Sequence, residues 1–198
     1  MDMKSLVNIT ARAWSLAILS AMQKGVAGRQ ADLLAATGAG RSAFAQSMTY
    51  LVDLGLIERN PGHGHPLRPE FRLTETGHEA AATADAVVEA AAASPQRDLL
   101  RRTWVVPVLA LVREPHSFNE IGRSLAPITN RALSHTLKSL EACAWVVRTV
   151  DENARPPRAF YGAKGTGAAI ARAAGLDYRA ERAVIDGGAR PAARPSSA

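Results

Sequence analysis

Leu133, Leu137 and Leu140 recur at helical spacing, which predicts a helix whose opposite face carries Arg131, Ser134, His135 and Lys138. That outer face holds hydrogen-bond donors and no carboxylate. Beyond it the period changes from helical to extended over residues 145–150. The chain then turns in a polar, Pro-rich stretch at 151–157 and returns as a second extended run at 158–163. A helix followed by a two-stranded ribbon with arginines near its tip is the outline of a winged helix.

The same succession occurs one half-chain earlier. Residues 1–24 predict one helix, with Leu6, Ile9, Trp14, Ile18, Leu19 and Met22 on a broad apolar face and Gly25 at its end. Residues 29–37 predict a short second helix. Residues 41–54 predict a third, with Phe44, Met48 and Leu51 inward and Ser42, Ala45, Gln46 and Thr49 outward. Extended runs at 56–59 and 70–74 flank a loop of Gly, Pro and His. In the later half, residues 98–113 predict the first helix, kinked at Pro107, and 118–125 the second. An offset of 90 carries Trp14 onto Trp104, Phe71 onto Tyr161 and Gly77 onto Gly167; an offset of 89 carries Phe44, Met48 and Leu51 onto Leu133, Leu137 and Leu140. Between the copies, residues 78–93 form an Ala-rich helix broken by Ser94-Pro95. A last helix spans 166–186, carrying Ile170, Leu176, Val184 and Ile185. The expected fold is therefore mainly α with small β-wings, as two tandem winged helix-turn-helix domains forming a pseudo-dimer. The expected domains are 1–95 and 96–186, followed by a Gly-, Pro-, Ala- and Ser-rich disordered tail, 187–198, whose Arg190 and Arg194 serve mainly solubility.

Charge separates the two copies. The chain carries a net +6 and a pI near 10.1. Residues 1–95 hold 8 Lys+Arg against 9 Asp+Glu, a net −1, whereas residues 96–198 hold 16 against 9, a net +7. A polyanionic partner is implied, and the later copy should meet it. No stretch approaches the length of a membrane span and no secretory leader is evident, so the expected location is cytoplasmic with no membrane partner. A Gly-rich phosphate loop, a nucleophile elbow and a paired-carboxylate site are all missing from the sequence, so no enzyme is expected, and no cofactor.

The predicted helix at 130–142 suits the major groove of double-stranded DNA, with the ribbon reaching an adjacent backbone or minor groove. Arg131 and Lys138 can pair with guanine edges or phosphates, Asn130 can read adenine, and Ser134 and His135 can donate or accept. Arg155 and Arg158 near the ribbon tip are candidate backbone contacts. The corresponding candidates in the first copy are Arg41, Ser42, Gln46 and Thr49 on its third helix and Arg68 in its loop. His63 and His65 lack a third ligand at compatible spacing, so no metal is expected there. Cys143, the one cysteine, aligns with Leu54 and is expected as a small core residue rather than a redox sensor. Trp14, Trp104 and Trp145 could line an effector pocket at the domain junction, with core packing the favoured reading.

The second copy resembles the HxlR family of bacterial winged-helix transcription regulators, relatives of the MarR group. The resemblance rests on Trp104-Val-Val-Pro-Val-Leu109, Phe118-Asn-Glu-Ile121, the run from Ile128 to Glu141, Val147-Arg-Thr-Val150, Arg155-Pro-Pro-Arg158 and Tyr161. The first copy is similar in skeleton, through Trp14, Leu33, Gly55-Leu-Ile-Glu-Arg59 and Leu73-Thr-Glu-Thr-Gly77. The resemblance implies a DNA-binding regulator, of repressor type, on a palindromic operator that relatives bind as homodimers. With two copies in one chain, it implies a monomeric pseudo-dimer, or a homodimer of such chains, open to control by a small-molecule effector. The alternative from another class is a protein-interaction module or ligand sensor with little DNA binding of its own.

Overall fold

A computed structural model describes residues 1–60, 70–152 and 157–175. The predictions made for Arg68, His63, His65, Arg155, most of the last helix and the tail lie outside these residues.

The first copy begins with α1 (Met3–Thr10), capped by the Asp2 carboxylate, which accepts from the Ser5 backbone N–H at 2.7 Å. The chain then bends by 101° into α2 (Ser15–Gln23). A single helix over 1–24 is thus incorrect. No Gly or Pro marks the break, and the apolar pattern runs through it because both pieces bury a face. Ala11 N–H bonds back to Asn8 in a tightened last turn, and Thr10 Oγ1 donates to the carbonyls of Leu6 and Val7. The bend lets α1 cross onto the second copy, where it packs on α6 (Val105–Leu111). The rest of the copy is α3 (Gln30–Thr37), α4 (Arg41–Asp53), an antiparallel ribbon of β1 (Ile57–Asn60) and β2 (Glu70–Leu73), and α5 (Glu75–Ala91).

The second copy repeats this order. A short 3-10 helix (Arg97–Arg101) precedes α6, followed by β3 (His116–Ser117), α7 (Phe118–Ser124), α8 (Asn130–Ala142), β4 (Val146–Asp151), β5 (Arg158–Ala163) and α9 (Gly165–Ala173). The single helix expected over 98–113 is also broken, at residues 102–104, ahead of Trp104, as α1 and α2 are broken ahead of Trp14. Pro107 does not kink α6. It is the third residue of that helix, where a backbone N–H would have no intrahelical partner, so its missing donor costs nothing. Every residue of α6 is buried, which makes it the central post of this copy; truncating a leucine such as Leu109 should cost roughly 2–5 kcal/mol.

Strands run in the order β3-β5-β4, with six register pairs from Val146↔Ala163 to Asp151↔Arg158. In the first copy β3 is reduced to one bridge, Arg29↔Glu70. Glycine is required at the equivalent positions Gly77 and Gly167, where a Cβ would lie 1.9 Å from the Leu56 carbonyl oxygen and 2.1 Å from that of Trp145. Those close approaches seat α5 and α9 against the start of each ribbon. The two copies then share one hydrophobic core. The Ala80, Ala81, Ala84, Val87 and Ala91 face of α5 is buried, and α5 packs on both α2 and α9. Small side chains there allow close helix approach.

Candidate nucleic-acid interface

Both copies present their third helix in the same way. Helices α4 and α8 are each 13 residues long, and in both the fourth, seventh, eighth and eleventh positions are the buried ones: Phe44, Ser47, Met48 and Leu51 in one, Leu133, Thr136, Leu137 and Leu140 in the other. Arg41, Ser42, Gln46 and Thr49 are exposed on α4. Asn130, Arg131, His135 and Lys138 are exposed on α8, with Ser134 half-buried beside them. The split between inward leucines and an outward polar face is as the periodicity predicts, because α8 is strongly amphipathic. Thr136, not expected inside, is accommodated by donating its hydroxyl to the Ala132 carbonyl at 2.9 Å.

The helices differ in how they are built. The Thr129 hydroxyl caps α8 by accepting from the Ala132 N–H at 3.2 Å, and Ser117 with Glu120 forms a reciprocal capping box on α7. The Ser117 hydroxyl and then its backbone N–H, both donating to Glu120, hold that carboxyl below the usual glutamate value, against the opposing effect of burial. Neither α3 nor α4 has a side-chain cap; Arg29 and Gly40 stand at those positions.

Charge is arranged unequally as well. In the first copy Arg72 Nε donates to Glu58 Oε1 at 2.6 Å, Arg29 Nε to Glu70 Oε1 at 2.8 Å, and the Arg59 guanidinium lies 5.8 Å from the Phe71 ring centroid. Lys24 is held by Asp85 and Glu89. In the second copy Arg131, Lys138, Arg148 and Arg158 are exposed and form no salt bridge among the described residues. Arg148 and Arg158 extend this surface from β4 and β5. Two residues that the sequence pattern did not single out adjoin it: Asn119 and Arg123, exposed on α7, line a cleft of about 550 Å³ with Phe118, Gly122 and Asn130. Their spacing of four places them on one helical face, a signal present in the sequence, but only the crossing of α7 and α8 brings that face to Asn130.

The remaining candidates fall elsewhere. Cys143 packs half-buried against the core at the C-cap of α8, where its Sγ donates to the Leu140 carbonyl at 3.4 Å. Trp145 is buried, and Trp104 packs half-buried against the core. Trp14 also packs against the core, yet it lines a cleft of about 430 Å³ between the first copy and the 3-10 helix, together with Lys24, Val88, Arg97, Asp98 and Arg101. Among the described residues no single helix is long and apolar enough to cross a membrane.

A three-helix unit with a ribbon, present twice and presenting an amphipathic third helix, defines a tandem winged helix-turn-helix protein. The model of the HxlR-like helix-turn-helix family matches residues 9–97 and again 99–174, most of the chain. The chain belongs to that family of DNA-binding transcription regulators. Comparison with curated proteins finds no match.

Proposed function

We propose that the chain is a sequence-specific DNA-binding transcription regulator that represses by occupying an operator. Helix α8 enters the major groove: Arg131 and Lys138 meet guanine edges or phosphates, Asn130 an adenine, and Ser134 and His135 adjust to the neighbouring bases. The ribbon of β4 and β5 lies along the backbone with Arg158, and Arg155, which the sequence places between the two strands, adds to that contact. The two copies act as an intramolecular pair, with α4 offering Arg41, Ser42, Gln46 and Thr49 to the neighbouring turn of the duplex, and Arg68 adding a further backbone contact. The domain division at residue 95 places one reading helix on each side. The observation that carries the reading is the exposed face of α8, on which Arg131 and Lys138 have no salt-bridge partner among the described residues and the one carboxylate, Glu141, stands at the far end of the helix. The cleft beside Trp14 gives a small-molecule effector a place to act on the junction.

The test is a duplex-binding titration against salt. Several phosphate contacts predict a log–log slope of approximately −0.9 per phosphate neutralised. Arg131→Ala or Lys138→Ala should weaken binding more than Gln46→Ala or Thr49→Ala. A flat salt response, or the reverse ordering of variants, overturns the reading. The paired charges of the first copy favour one rival, a protein-interaction role for that half; native mass measurement with and without duplex separates them, since the rival needs a protein partner and the present reading needs only DNA.

A further inference from the structure

Because α4 and α8 have equal length and identical burial steps, their outer faces correspond residue for residue: Arg41 with Asn130, Ser42 with Arg131, Ala45 with Ser134, Gln46 with His135, Thr49 with Lys138 and Val52 with Glu141. At the positions of Arg131 and Lys138 the first copy has the neutral side chains of Ser42 and Thr49. Val52, 38% exposed, stands where the second copy has a carboxylate. The only cation on the α4 face is Arg41, at its first residue, where the second copy has Asn130. In the first ribbon Glu58 pairs with Arg72 and Glu70 reaches Arg29 at the start of α3, which leaves Arg59, over the Phe71 ring, as its one cation outside a salt bridge; on the second, Arg148 and Arg158 both have no salt-bridge partner among the described residues. Side-chain caps hold α7 and α8 and are missing from α3 and α4. Helix face, ribbon charge and helix capping all distinguish the copies in the same direction.

We infer that the two copies divide the work of recognition: the second reads sequence, the first contributes little base discrimination, and the DNA recognised is asymmetric, with one informative half-site instead of a palindrome. This rests on the DNA-binding reading above. A homodimer of single winged helices must present two identical faces to its target and therefore selects a two-fold symmetric site. Once both units lie in one chain, that symmetry is no longer imposed, and the face of α4 has no chemistry with which to read the same bases as α8. Its neutral hydroxyl and amide groups suit approach to a backbone of any sequence.

The experiment is selection of duplexes from a randomised pool by the full chain, followed by sequencing. The expected motif is confined to one half-site, and Arg131→Ala should erode it, lowering affinity for the selected duplex about tenfold. Ser42→Ala, Gln46→Ala and Thr49→Ala should each change affinity less than about threefold, within the range of a single weak contact. The combined variant Arg41→Asn, Ser42→Arg, Ala45→Ser, Gln46→His and Thr49→Lys transplants the reading residues of α8 onto α4. It should acquire a second, inverted copy of the same half-site, an outcome that misfolding could not produce. A palindromic motif from the unmodified chain overturns the division of labour while leaving DNA recognition intact. Salt-dependent binding with no sequence enrichment overturns it too, and failure to retain any duplex overturns the parent reading.

Discussion

The guanidinium carbon of Arg101 lies 4.2 Å from the centroid of the Trp14 ring. Trp14 opens α2 of the first copy, and Arg101 ends the 3-10 helix that leads into the second, so the pair fastens one copy to the other. Asp98 holds the same guanidinium at 2.7 Å. Arg101→Ala should lower the stability of the whole chain by about 1 kcal/mol, the scale of a partly exposed cation–π contact, and shift the emission of Trp14. Arg101→Lys should recover only part of the loss, since an ammonium cannot stack in the same way. Urea unfolding of the three proteins decides it; equal midpoints would show that the pair contributes nothing.

Ser15 is fully buried, and its hydroxyl finds no hydrogen-bond partner among the described residues. The equivalent residue of the second copy is Val105, also fully buried. An unsatisfied buried hydroxyl costs approximately 1–3 kcal/mol, and an apolar group of similar shape avoids that cost. Ser15→Val should therefore raise the unfolding free energy by about 1 kcal/mol, with Ser15→Ala gaining less because it leaves a small void. A clear loss of stability in both variants would mean that the hydroxyl serves another group.

Much of this architecture is legible in the sequence because α8 obeys a strong local period and each ribbon is announced by two extended runs flanking a turn-rich stretch. Leu133, Leu137 and Leu140 could face only inward once Arg131, His135 and Lys138 faced out. The breaks ahead of Trp14 and Trp104 were not legible: no local breaker precedes them, and the bend is set by where α1 finds its partner on α6. Nor was the self-neutralised first ribbon. Glu58 meets Arg72 only in the register that also opposes Ile57 to Leu73 and Arg59 to Phe71, and that register is a property of the paired strands rather than of either one. The same holds for Asn119 and Arg123, whose place beside Asn130 depends on how α7 crosses α8.

Helices α4 and α8 end in the same turn, in which Leu56 N–H bonds to the Leu51 carbonyl and Trp145 N–H to that of Leu140. The left-handed residue is Gly55 in the first copy, at φ 68°, but Ala144 in the second, at φ 57°. A side chain in this region costs about 1–2 kcal/mol, partly offset by the extra freedom glycine has when unfolded. Ala144→Gly should accordingly stabilise the chain by up to about 1 kcal/mol, equivalent to roughly 2–4 °C in Tm for a protein of this size. Gly55→Ala should do the opposite. Calorimetry on both variants tests the pair, and a lower Tm for Ala144→Gly would contradict the strain.

Acid should loosen the capping box of α7, which is intact at neutral pH. Glu120 accepts from the Ser117 hydroxyl and backbone N–H, each at 2.7 Å, and these bonds favour its ionised form, so its folded-state pKa lies below the usual 4.5. A carboxyl lowered in this way stabilises the fold fully above its unfolded-state value, and the contribution is lost as pH falls through the folded-state value. Its position in the first turn of α7 also places negative charge at the favourable end of the helix. Glu120→Gln keeps the shape but not the titration. The stability difference between the unmodified chain and this variant should thus be constant from pH 7 to about 5 and shrink below that. Paired urea titrations across that range provide the measurement: a difference that stays flat into acid, or widens, would show that the capping box does not depend on the charge of Glu120.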